Sequence, residues 1–299
     1  MPTYWSISLA AYLFLALAGL IDKVLLQKII SSPRAYAFYV GMLSVLALTL
    51  LPFGVVSVPE TRTLLAAAVS GFTGVYALWA FYSGLKDFEP TRVITTVGAL
   101  IPVLTLILST IIFSETHPLA HFLAVVLLVL GGVLLSLRGT AAGTFSLALL
   151  NHAVLSAGLF AVSLAMMRFV FLQETFLNGL FWVRIGGLLG AVSIIAVPEN
   201  FRRIYWATKR APKMAPVPFL LNQVLGGLGG VLQNYAVFLG SASLVAAIQG
   251  SQYVFLLLLA LLLGRYFPEI REKISSHEVM DKSVAITMIA AGLYLLATQ

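Results

Sequence analysis

The stretch "LLNQVLGGLGGVLQNYAVFLG" (Leu220–Gly240) is mostly apolar, yet it carries four carboxamides, Asn222, Gln223, Gln233 and Asn234, with four glycines between the two pairs. About 20 predominantly apolar residues suffice for a helix to cross a bilayer, and this segment has that length. Its centre, "GGLGG", is not a phosphate loop: no Lys-Ser/Thr pair follows it and no strand–helix context surrounds it. In a helix, Asn222 and Gln233 stand about three turns apart and share a face, while Gln223 and Asn234 share the adjacent face. Gly226 and Gly230 have the small-xxx-small spacing that lets helix backbones approach closely. The segment reads as a membrane helix, and the rest of the chain follows from that reading.

The surroundings have the same character. Of 299 residues, 60% are hydrophobic and 10% charged, and the mean hydropathy is +1.01. A soluble domain carries about 25% charged residues. Apolar spans follow one another along the chain, so the fold class is an all-α integral membrane protein, with the lipid bilayer as its first partner. The absence of cysteine removes disulfides, thiolate metal sites and cysteine nucleophiles. A net charge of +7 would point to nucleic acid in a soluble protein; here the basic residues lie in short loops, where membrane topology accounts for them. No nucleic-acid partner, metal or cofactor is expected. Ile7–Ala18 has a faint likeness to a signal-peptide core, but "MPTYWS" before it is uncharged and many spans follow, so it reads as the first membrane helix.

Breaks at Pro, Gly and charge divide the chain into ten spans, near 5–27, 34–53, 63–85, 91–113, 118–137, 145–168, 175–197, 215–239, 243–264 and 280–298. Two connections are long, Glu199–Met214 and Arg265–Lys282; both suit short surface helices, with Tyr205 and Trp206 at headgroup level. An internal repeat is visible. Ala18-Gly19-Leu20 recurs as Ala157-Gly158-Leu159, and Val58-Pro59-Glu60 as Val197-Pro198-Glu199, both at an offset of 139. Gly71, Gly74, Val75 and Ala80 match Gly227, Gly230, Val231 and Ala236; Val93 and Gly98 match Val245 and Gly250; Gly132 and Leu135 match Gly292 and Leu295. The offset changes only between helices. Two five-helix units result, 1–138 and 145–299, joined near Arg138–Thr144. An odd number of crossings per unit makes the second enter from the opposite side, an inverted repeat of the kind common in secondary transporters, with the substrate site between halves.

The segment "GLKDFEPTRVITTVGALIPVLTLILSTIIFSETHPLAHFLAVVLLVLGGVLLSL" (Gly84–Leu137) resembles the EamA-like branch of the drug/metabolite transporter superfamily. Pro102 in the fourth span, Glu115 just after it and Gly131-Gly132 in the fifth carry the resemblance, and the repeat layout extends it along the chain. The second half departs from the pattern: Val254 replaces the proline, and Gly264-Arg265 stands where a Gly-Glu pair is usual, so nothing there carries that second glutamate's role. The resemblance implies ten helices and movement of small metabolites, often export of amino acids or related compounds.

Two readings of orientation conflict. The loops after odd-numbered spans hold Lys28, Arg34, Lys86, Arg92, Arg138, Arg202, Arg203, Lys209, Arg210, Lys213, Arg265, Arg271, Lys273 and Lys282, against Arg62 and Arg168 on the other side. Lysine and arginine concentrate in cytoplasmic loops, which puts both termini outside. The family resemblance implies both termini in the cytoplasm.

Polar groups inside spans are expensive and mark candidate sites. Arg184 lies near the middle of the seventh span, where it either fixes packing or attracts a substrate carboxylate or phosphate. The eighth span offers Asn222, Gln223, Gln233 and Asn234, either as interhelical glue or as cavity lining. The ninth offers Gln249, Gln252 and Tyr253 on one face, at a depth that suggests a patch shared with Gln233 and Asn234. Tyr76, Trp79 and Tyr82 form a spaced aromatic set, and Tyr76 and Trp79 are taken as substrate-facing. His152 and Asp22 are candidate proton carriers; Glu115 and Glu174 stand at span ends. The leading expectation is a secondary transporter, an exporter or exchanger of small metabolites, working by alternating access and without an ATP motif. A channel or a structural membrane protein is the alternative. An embedded enzyme would need a constellation such as HExxH, GxSxG or paired intramembrane acids, and none is present.

Overall fold

The computed structural model describes residues 3–114, 119–137, 147–264 and 276–297. Its elements are α1 (Thr3–Lys28), α2 (Pro33–Met42) continued by a 3-10 stretch (Leu43–Phe53), α3 (Thr61–Asp87), α4 (Pro90–Phe113), α5 (Leu119–Leu137), α6 (Leu147–Gln173), α7 (Phe176–Ala196), α8 (Pro198–Arg210), α9 (Pro216–Leu239), α10 (Ala242–Ile248), α11 (Gly250–Leu263) and α12 (Ser276–Ala297). No strand occurs among the described residues. Among the described residues, seven helical segments are long and apolar enough to cross a membrane. α9 is not among the seven: its amides and glycines dilute the apolar residues of an otherwise spanning-length helix. Glu115, the linker at Arg138–Thr144 and Arg265 lie outside the described residues.

Two spans differ from expectation. The second is not one α-helix: beyond Met42 the chain tightens into 3-10 geometry, takes Pro52 inside it and closes at Gly54, whose φ of 66° suits a residue without Cβ. The ninth breaks at Gln249 into α10 and α11. The long connection after α7 does form a surface helix, α8, with Asn200 and Ile204 inward and Phe201, Tyr205 and Trp206 exposed.

The last carbonyls of a helix have no partners within it and need them from outside. Lys23 of α1 supplies them to α3: its Nζ donates to the carbonyls of Leu85 (2.7 Å), Lys86 (3.0 Å) and Phe88 (2.7 Å). Arg168 of α6 does the same for α9, donating from Nη1 to the carbonyls of Val237 (2.9 Å) and Phe238 (2.8 Å).

The main packing partners are α3 with α6 and α7, α1 with α9, α4 with α6, and α5 with α12. Small residues make each seam. Between α3 and α6, Ser70 and Ser163 exchange hydroxyl-to-carbonyl hydrogen bonds of 2.8 Å in both directions. Between α3 and α7 the backbones meet directly: a Cβ on Gly71 would collide with Val183 O and the Gly186–Gly187 backbone, and one on Gly186 would stand 2.6 Å from Ala67 O. Between α5 and α12, a Cβ on Gly131 would stand 2.9 Å from Ala285 O, and one on Gly292 3.0 Å from Ala124 O.

α9 lies on α1 through Asn222, Gly226, Gly229 and Gln233, a single face at helical spacing. Asn222 Nδ2 donates to Ala18 O (3.3 Å) and Gln233 Nε2 to Tyr12 Oη (3.3 Å). Gly229, not Gly230, is the close-approach glycine: its Cβ would stand 3.1 Å from Ala11 O. The expected pairing of Gly226 with Gly230 fails because Gly230 is turned one residue, about 100°, off the α1 contact. Gly230 meets only the tip of Arg184 at 3.9 Å, and nothing stands within 4 Å of a Cβ on Gly227.

Gly71→Val and Gly227→Val test this difference. Gly71→Val drives α3 from α7 and should lower the melting temperature in detergent by ~5 °C or more, or abolish folding. Gly227→Val has space and should leave it nearly unchanged.

Candidate functional site

Among the described residues, Asp22 is a buried carboxylate at the centre of a polar cluster. It lies six residues before the end of α1 and is 7% exposed. The Tyr36 hydroxyl donates to its Oδ1, Asn222 Nδ2 donates to the same oxygen (2.6 Å), and the Tyr82 hydroxyl is also hydrogen-bonded to it. Four helices, α1, α2, α3 and α9, thereby meet at one carboxylate. Aromatic rings surround the knot: Tyr36 packs edge-on against Tyr82 and Phe219, with centroids 4.6 and 5.1 Å apart. Gln223 Nε2 reaches the Tyr36 hydroxyl at 3.5 Å. Lys23, although adjacent in sequence, points instead at the end of α3. Asn222 Oδ1 is buried without a hydrogen-bond partner.

Arg184 lies near the middle of α7. It is half-buried and makes no hydrogen bond or ion pair among the described residues. Its guanidinium faces Gly230. Residues 223, 227, 230 and 234 follow helical spacing, so Gln223, Gly227, Gly230 and Asn234 form the α9 face turned toward it. Insertion scales put an arginine at a helix centre at about 2.5–3.5 kcal/mol. No hydrogen bond or ion pair among the described residues offsets that cost.

The ninth-span residues do not join this face. Tyr253 is 1% exposed and Gln252 5%. A Cβ on Gly132 would stand 2.6 Å from Tyr253 Cε2, so the ring fills the space that Gly98 and Gly132 leave between α4 and α5. Gln249 donates to Gln252 Oε1 at 3.3 Å and its own Oε1 is buried without a partner. The expected patch between Gln233 and Gln249–Gln252 is replaced by a relay through Tyr12, which accepts from Gln233 and donates to Val245 O at 2.8 Å. The break at Gln249 rotates the residues after it away from α9.

The aromatic set of α3 also separates. Steps of three residues advance 300° around a helix, so each ring is turned about 60° from the last. Tyr76 pairs with Ser193 of α7 (2.9 Å). Trp79 lies under the Arg34 guanidinium, 5.3 Å from the ring centroid. Tyr82 joins Asp22. His152, near the start of α6, lines a surface cavity with Trp79 and does not contact Asp22. Tyr12, Tyr36 and Lys23 were not singled out from the sequence. Their signal was weak: a tyrosine in a span reads as an apolar ring until a partner for its hydroxyl is seen.

Residues 4–137 match the EamA-like transporter family. A solved structure described only as "Crystal structure of protein" superposes with a TM-score of 0.65 at 19% identity, over 98% of this chain and 96% of that chain, which establishes a shared fold. No curated protein matches the chain. The match runs from α1 through α5, so the first part of the chain is similar to the EamA-like transporter family, consistent with the drug/metabolite transporter superfamily.

Proposed function

We propose that the protein is a secondary transporter of the cell membrane, an exporter or exchanger of small metabolites such as amino acids, working by alternating access between two inverted five-helix repeats. The supporting observation is an asymmetry between equivalent seams. In the repeat alignment α3 corresponds to α9 and α7 to α2. α3 is pressed against α7 through Gly71, whereas its counterpart Gly227 has open space and Gly230 meets only Arg184. α9 touches α2 at one end alone, through Phe219 on Tyr36 and Tyr39 and through Gln223. One seam is shut and its counterpart is open, and exchanging the two would carry the cleft from one side of the membrane to the other. The reciprocal contact of Gly131 on Ala285 and Gly292 on Ala124 fits a twofold relation between the units, with Gly131 opposite Gly292 rather than the Gly132 of the sequence match.

Within this reading, Arg184 binds the acidic group of the substrate, and Gln223 and Asn234 supply amide hydrogen bonds. Asn222 and Gln233 hold α9 to α1, and Gln249, Gln252, Tyr253 and Tyr76 support the framework. Asp22, tied to both α2 and α9, is the proton carrier, because losing its charge weakens the donors that close that end of the cleft. His152 and Trp79 stand apart from this path.

Reconstitution tests the proposal. Saturable, stereospecific counterflow of at least one member of an amino-acid and metabolite panel is expected in proteoliposomes; no exchange across the panel, or unitary conductance, refutes it. Arg184→Ala should weaken acidic or zwitterionic substrates by about tenfold or more, with partial recovery in Arg184→Lys; unchanged affinity in monodisperse protein rejects the role. Asn234→Leu should lower affinity at unchanged melting temperature, and Gln233→Leu should do the reverse. Asp22→Asn should abolish the pH dependence of net transport while counterflow persists.

A further inference from the structure

A cavity of about 720 Å³ lies at the end of the molecule where α3 finishes, walled by the α1–α2 connection, α3, the start of α6 and the surface helix α8. Five cationic side chains line it, Arg34, Lys86, Arg202, Arg203 and Arg210, against two carboxylates, Asp87 and Glu199. Glu199 is already engaged by Arg203 (2.8 Å) and Arg34 (3.7 Å). Lys86, Arg202 and Arg210 form no ion pair among the described residues.

The site is built, not merely charged. Arg34 is fixed three ways, by Glu199, by Asn200 Oδ1 (2.9 Å) and by the face of Trp79. Trp79 stands eight residues before the end of α3, so the floor of the cavity reaches about two turns below the helix end. α8 carries exposed Phe201 and Tyr205, while its Trp206, also exposed, lines the cavity under Arg210; exposed aromatic rings on such a helix suit the headgroup layer. Lys86, Arg202, Arg203 and Arg210 are exposed, and they line the same walled space as the half-buried Arg34. A planar guanidinium held in place, beside cations that form no ion pair, suits a tetrahedral anion with several acceptor oxygens.

We propose that this cavity binds a phosphate-ester anion at the membrane surface, separately from the cleft at Arg184. Two sources carry that chemistry, the headgroup of an anionic phospholipid and a soluble phosphate ester. The test uses the purified full chain in nanodiscs of phosphatidylcholine with a graded fraction of phosphatidylglycerol. Lipid retained by the protein is read by native mass spectrometry, and glycerol phosphate is the soluble probe. The wild type should retain phosphatidylglycerol over phosphatidylcholine by roughly fivefold or more. The double variant R202Q/R210Q should lose that preference, and R62Q, at the opposite end of α3, should keep it. Binding of glycerol phosphate without a lipid preference, lost in the same double variant, assigns the site to a soluble ester. Equal retention of both lipids with no glycerol phosphate bound, or a preference that survives R202Q/R210Q, overturns the proposal.

Discussion

Helices that share a bilayer gain little from covering apolar surface, because lipid tails are as apolar as leucine. What holds α3 to α7 and α9 to α1 is the close approach that glycine permits. Gly71 and Gly186 bring two backbones into direct contact, and Gly229 lets α1 settle onto α9. Dispersion over such seams and hydrogen bonds across them take the place of the hydrophobic force. A seam made this way also closes or opens as a unit, since its atoms are either in contact or not.

The charged residues within the spans divide by what they face. Lys23 and Arg168 donate to the carbonyls that end α3 and α9, and so act as caps supplied by neighbouring helices. Asp22 ties four helices through two phenols and an amide. Arg184 alone among these is turned to the open face of α9 without a partner. The division follows from reach: the first three meet backbone or side-chain partners within 3.0 Å, and the last meets a glycine.

The segment Leu220–Gly240 shows how one helix serves both ends. Its Asn222 face is a framework surface pressed on α1, and its Gln223 face looks across to α7. One residue of rotation separates the two faces. Because the two faces adjoin, a movement of α9 toward Arg184 would strain the hydrogen bonds at Tyr12 and Asp22.

Membrane character, the rough position of most helices and the two-faced pattern of the α9 amides were legible in the residues alone, because hydropathy and the 100° step are local properties. The family resemblance rested on Pro102 and Gly131-Gly132, and the match over residues 4–137 agrees with it. The site was legible only in part. Arg184 and Asp22 stood out as costly charges in apolar spans, but the sequence could not say that Lys23 would turn from its neighbour to cap α3. Nor could it say that Tyr253 would fill the hollow left by Gly98 and Gly132, or that the glycines matched across the repeat would differ in their surroundings. Those outcomes depend on which helix lies opposite, and that is a property of the packed bundle. Composition and periodicity decided what each helix is; tertiary packing decided what each side chain meets.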